Sequence, residues 1–111
     1  MKPATKVLPT ILVPGWMDNV GTMRRFAAYL EGIGQQPHIC SPQPSNGSAP
    51  IELLAEQLAE FVKMKFGADD PVNLFGFSMG GLIDRFYLQK LDGVKRVQKF
   101  VTVATPHQGT Q

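Results

Sequence analysis

Val72-Asn-Leu-Phe-Gly-Phe77 carries no charged residue, and Ser78-Met-Gly-Gly-Leu-Ile-Asp-Arg-Phe-Tyr-Leu-Gln-Lys-Leu91 follows it without a break. The first piece reads as a strand buried on both faces of a parallel sheet. The second returns to helical spacing through Met79, Leu82, Ile83, Phe86 and Tyr87, and ends at Asp92-Gly93. Gly76-Phe77-Ser78-Met79-Gly80 at the junction fits G-x-S-x-G. The five-residue string alone is weak, because glycine and serine are common. Its position gives it weight: a serine between an apolar strand and an amphipathic helix sits in the sharp turn called a nucleophile elbow. The glycines have a steric reason, since neighbours two residues either side must be small for strand and helix to approach closely.

Other elements extend outward from this junction. Leu8 to Val13 reads as a short buried strand closed by Pro14-Gly15, followed by a loop to Gly21. Met23, Phe26, Ala27 and Leu30 make one helical stripe, with Thr22 as cap and Gly32 and Gly34 as stop. Pro37 to Cys40 reads as a second strand, and Ser41 to Pro50, with three prolines and a glycine, as a surface loop. Ile51 to Phe66 is the clearest helix, with Ile51, Leu54, Leu58, Phe61, Val62 and Met64 on its apolar side and Glu52, Glu56 and Glu60 opposite. Pro50 suits its first turn, and Lys63 and Lys65 suit its end. Gly67 to Pro71 is a turn, Val97 to Val103 a last strand, and Ala104 to Gln111 a loop. Strands alternating with helices predict an α/β fold, a parallel β-sheet flanked by helices.

Composition bounds the function. The chain has 111 residues, 43% hydrophobic and 18% charged, which suits one small globular domain. A net charge of +2, from 11 basic and 9 acidic residues, argues against a nucleic-acid partner, because the basic residues are spread along the whole chain. Cys40 is the single cysteine, which excludes an intrachain disulfide and a cysteine-rich zinc site. No apolar run approaches the ~18 residues of a transmembrane segment. Pro9 and Pro14 interrupt the one stretch, Val7 to Val13, that superficially resembles a signal peptide, so the expectation by default is a cytoplasmic protein.

Chemistry at Ser78 requires donors for the charge on an attacked carbonyl. The N–H of Met79, at the start of the helix, is one. A second is expected from the loop after an earlier strand, where Gly15 lets the backbone turn inward and the Trp16 N–H faces the same place. A phosphate-binding Gly-x-x-x-x-Gly-Lys loop and a dinucleotide fingerprint are both missing, and no metal-ligand spacing or cofactor signature occurs, so no cofactor is expected.

Ile-Leu-Val-Pro-Gly-Trp (11–16), Asn-Leu-Phe-Gly-Phe-Ser-Met-Gly-Gly-Leu (73–82) and Val-Ala-Thr-Pro-His-Gln-Gly-Thr (103–110) together resemble the α/β-hydrolase superfamily, most closely its small lipase/esterase-like members. The resemblance runs from about Val7 to the end. It implies a serine hydrolase acting on carboxylic esters through an acyl-enzyme, with a small-molecule ester or lipid as substrate. The same fold also serves acyltransferases and thioesterases, and a module that keeps the elbow only to bind a ligand or partner is the non-catalytic alternative. Many members have His-Gly where this chain has Pro14-Gly15, which alters the surroundings of the oxyanion donors without removing the Trp16 amide.

The family order is nucleophile, acid, histidine. His38 precedes the nucleophile and reads as structural or solvated. His107 follows the strand after the elbow, on the edge that holds Ser78, but it lacks an orienting carboxylate and reads as a loop residue. Asp84 lies six residues into the helix, roughly 9 Å down its axis, and is expected to point away from the active edge. Asp92 lies at the helix's far end, and Asp69-Asp70 at a turn on the opposite edge. Asp18 and Asn19 lie in the loop above the site. Phe75, Phe77, Met79 and Trp16 are candidates for an acyl pocket, though buried core suits the phenylalanines equally. Residues 1–111 therefore read as the N-terminal part of a single α/β-hydrolase domain, incomplete at the C-terminus, with acid and base expected beyond Gln111.

Overall fold

The computed structural model describes residues 7–14, 20–44 and 48–103. Four strands form one parallel sheet: β1 (Pro9–Pro14), β2 (Gln36–Ile39), β3 (Val72–Phe77) and β4 (Val97–Val103), in the order β2-β1-β3-β4. Helix α1 (Val20–Gly32) joins β1 to β2, α2 (Ile51–Phe66) leads from β2 to β3, and α3 (Met79–Lys90) leads from β3 to β4. A 3-10 turn at Gly93–Lys95, unforeseen in the sequence, precedes β4.

The strand order reverses direction at β1. The chain first steps outward to β2, then crosses back over β1 to β3. Right-handed crossovers in opposite directions place α1 on one face and α2 with α3 on the other. The larger core lies on the second face, where Ile11, Val13, Leu54, Ala55, Leu58, Val62, Val72, Leu74, Ile83 and Tyr87 pack together. Leu12 and Met23 are fully buried outside that cluster, and Phe26 of α1 lies on Phe75 with ring centroids 4.9 Å apart. Each aliphatic side chain so buried contributes about 1.5–3 kcal/mol.

The elements fall where residue spacing puts them, with instructive differences. Helix α2 has the expected bounds, and Pro50 stands just before it as N-cap with its carbonyl accepting from Leu53 at 3.1 Å. Met64, expected on its apolar side, is 77% exposed, because the buried stripe runs through Leu54, Ala55, Leu58 and Val62. Helix α1 begins at Val20, so Thr22 lies inside it and is no cap. Strand β2 starts one residue earlier than expected and leaves out Cys40, whose N–H still donates to the Leu12 carbonyl at 2.9 Å. Strand β3 is buried at Val72, Leu74 and Gly76; Asn73, Phe75 and Phe77 are half-buried, on the face where Phe26 of α1 meets Phe75.

Arg96 closes the edge opposite the carboxyl ends of the strands. Its guanidinium donates to the carbonyls of Gly67 at 2.6 Å and Asp70 at 2.7 and 3.0 Å, with a longer contact to Phe66 at 3.5 Å. These are carbonyls that the end of α2 and the following turn leave without helical partners. Arg96→Ala is expected to lower stability by about 1–3 kcal/mol in a denaturant titration, and Arg96→Lys to recover only part, because an ammonium cannot span several carbonyls as a planar fork does.

Candidate active site

Strand β3 delivers Ser78 to the carboxyl edge of the sheet. Its neighbours there are the ends of β1 and β4, with Phe77 level with Pro14 on one side and Val103 on the other. In an open α/β sheet the crevice beyond the carboxyl ends, where the strand order reverses, is the place where ligands bind. Here the reversal lies between β1 and β3, and Ser78 stands at it.

The turn itself is strained. Ser78 has φ 57° and ψ −122°, a conformation that a residue with a side chain holds only when its surroundings enforce it. Two backbone hydrogen bonds do so. The Ser78 N–H donates to the Val103 carbonyl at 2.7 Å, and its own carbonyl accepts from Gly81 at 2.9 Å. Helix α3 starts with the next residue, so the Met79 N–H belongs to the first turn, where no intrahelical acceptor exists.

Glycine is required on both sides of the serine. A Cβ at Gly80 would overlap the Val13 carbonyl oxygen, because the start of α3 lies directly on the end of β1. A Cβ at Gly76 would come within 2.6 Å of the Gly81 Cα and 2.5 Å of the Asp84 carboxyl. Gly81 is less tight, with the Thr102 methyl 3.2 Å from the same position.

The structure corrects the expectation for Asp84. Its side chain turns into the core beneath the elbow with no exposed surface, instead of away from the active edge. Gly80, Ile83, Asp84 and Tyr87 share the buried stripe of α3, spaced i, i+3, i+4 and i+7. That spacing was readable in the sequence; the charged residue within it disguised the stripe, and Leu82, expected on it, is 56% exposed. Burial pushes the Asp84 carboxyl up to about 8, and the Cys40 thiol up to about 12.

The other candidates lie apart from Ser78 or outside the described residues. His38 sits in β2 level with Ile11 and Leu74, so it is two strands across and four residues short of the serine, roughly 10 Å by 13 Å. Its ring meets Phe66 edge-on at 4.9 Å, and burial, then Lys65, lowers its pKa. Asp92 is exposed and lies 4.0 Å from Lys95. Asp69 and Asp92 line a cavity of about 300 Å³ with Lys63, Tyr87 and Arg96, at the amino edge and away from the serine. Gly15, Trp16, Asp18, Asn19 and His107 lie outside the described residues. Phe75 and Phe77 are half-buried on the α1 face. Among the described residues no helix is long and apolar enough to cross a membrane.

A strained serine between a strand and a helix, at the reversal of a parallel sheet, defines the α/β-hydrolase fold. A family model described as palmitoyl protein thioesterase matches residues 9–111, and the chain belongs to that family. No curated protein matches it. Among solved structures it is similar to an extracellular α/β-hydrolase from a Paenibacillus species, described as sharing structural and functional homology with tobacco salicylic acid binding protein 2. The TM-score is 0.70 at 19% identity, over 86% of this chain and 39% of that one. This chain therefore spans about two fifths of that hydrolase. The likeness concerns the fold, and since that protein is extracellular it lends no support to a cytoplasmic location.

Proposed function

We propose that this chain carries the nucleophile of a serine hydrolase that cleaves acyl esters through an acyl-enzyme on Ser78. The observation that carries the reading is the Ser78 backbone, held at φ 57° at the sheet's reversal between glycines that admit no side chain. Ser78 Oγ attacks the acyl carbonyl and passes its proton to a base. The tetrahedral oxyanion is held by the Met79 and Trp16 N–H groups, and its collapse expels the leaving group with that proton. Water then attacks the acyl-enzyme and releases the acid. Neither His38 nor Asp84 is placed to serve as base or acid, and His107 lacks an orienting carboxylate in the sequence; we place both past Gln111, in one longer hydrolase domain of which residues 1–111 are the N-terminal part.

The family match favours a thioester as the bond cleaved, and the resemblance around residues 11–16 and 103–110 favours an oxygen ester. The substrate is an acyl thioester in the first case and a small acyl ester or lipid in the second. A fluorophosphonate probe on the full natural chain tests the reaction class: labelling at Ser78, lost in Ser78→Ala, is expected. A natural chain that folds and is not labelled would sink the reading and leave a binding module. Comparing kcat/KM for an ester and a thioester of one acyl chain then separates the two bonds.

A further inference from the structure

We propose that the proton on Asp84 governs the seating of the Ser78 turn: with the carboxyl neutral the first turn of α3 lies flush on β3, and with it ionised that turn is forced off the sheet. Three observations place the carboxyl in that role. Asp84 has no exposed surface, and neither of its oxygens has a hydrogen-bond partner among the described residues. Its Oδ2 and the Gly81 backbone converge on Gly76, each within 2.7 Å of the point a Cβ there would occupy. The carboxyl is thus wedged where β3 meets α3, beside Gly76, which stands two residues before Ser78 in β3, while Asp84 itself stands six residues after Ser78 in α3.

Among the described residues no side chain hydrogen-bonds the carboxyl. Tyr87 of α3 and Cys40 just past β2 are, among the same residues, the titratable groups that interact with its charge, and neither is a cation. Helix α2 and strands β1 and β3 contribute Leu54, Ala55, Leu58, Ile11, Val13 and Leu74 to the core on this face. A neutral carboxylic acid tolerates such a place; a carboxylate there needs water or a cation. Water reaches it most directly where α3 parts from β3, and the residues that then move are Ser78 and Met79. The sign follows from the retained proton. Between about 4, the ordinary carboxylate value, and about 8, the folded chain holds a proton that the unfolded chain has released. Stability therefore falls as pH rises through that window and is flat above it.

The role in reactivity rests on Ser78 being the nucleophile; the role in seating the turn does not. The test compares the full natural chain with Asp84→Asn, and with the smaller neutral Asp84→Ser should the amide fail to fold. Two readouts are followed from about pH 6 to about pH 10, the range in which a carboxyl of raised pKa titrates: hydrogen-exchange protection of residues 79–83, corrected for intrinsic rates, and the rate of fluorophosphonate labelling. As pH rises towards about 8 the native chain is expected to lose protection about tenfold per pH unit and to level off above that, while labelling falls about tenfold per unit above about pH 8; the neutral variant is expected to lose neither. A neutral variant whose protection falls in parallel with the native chain overturns the proposal. Lost protection with no labelling at any pH supports the seating role and overturns only the hydrolase reading.

Discussion

Gly80→Ala is expected to lower the stability of this fold by about 3 kcal/mol or more, in a denaturant titration of the full natural chain. The added methyl meets the Val13 carbonyl oxygen, a backbone atom inside the sheet. No rotamer change relieves that contact. Either α3 lifts from β1 or the end of β1 leaves its pairing with β3, and the serine turn is lost in both cases. A cost of that size is a large part of the 5–15 kcal/mol that holds a typical domain together. The matched control is Gly32→Ala at the end of α1, where a Cβ has nothing within 4 Å. That change is expected to be neutral or to stabilise by up to about 1 kcal/mol, through the more restricted unfolded chain. Equal losses from the two substitutions would show that the contact between α3 and β1 is looser than described.

Ser78 yields the second large effect, and here activity and stability are expected to part. With Ser78 as the proposed nucleophile, Ser78→Ala and Ser78→Gly should both remove hydrolysis by roughly 10⁴-fold or more, since each lacks the attacking oxygen. Their melting temperatures should differ. Alanine keeps the cost of φ 57° with ψ −122°, whereas glycine adopts such a backbone without a Cβ penalty. Ser78→Gly is expected to gain about 1 kcal/mol or more over Ser78→Ala, a shift of several degrees, despite the greater freedom of glycine in the unfolded chain. The native serine then holds a strained turn at the expense of stability, as sites built for reaction commonly do. Coincident melting curves would show that the turn stores no strain.

Most of the architecture was legible because its signals are local. The bounds of α2 follow from Pro50, the apolar spacing of residues 51–66 and Gly67, all within a few residues of the element they delimit. Strands β3 and β4 were read at their actual bounds for the same reason. Local reading failed where a partner element makes the decision. Met64 and Leu82 look like core residues, yet they face solvent, because the neighbouring helix and sheet cover only one stripe. Asp84 looks like a surface residue, and the way α3 lies on β3 buries it completely.

The sequence by itself determined the alternation of strands and helices, the strand–serine–helix junction and the glycines around it, since these depend on spacing and side-chain size along one stretch of chain. Only the tertiary structure decided what lies beside that junction. It brought Val13 of β1 against Gly80 and Val103 of β4 to the Ser78 amide, and it sealed Asp84 beneath the turn. The physical reason is that parallel pairing joins residues far apart in the chain, Thr10 with Asn73 and Val72 with Val97, through strand order and register. No periodicity along the chain records either one.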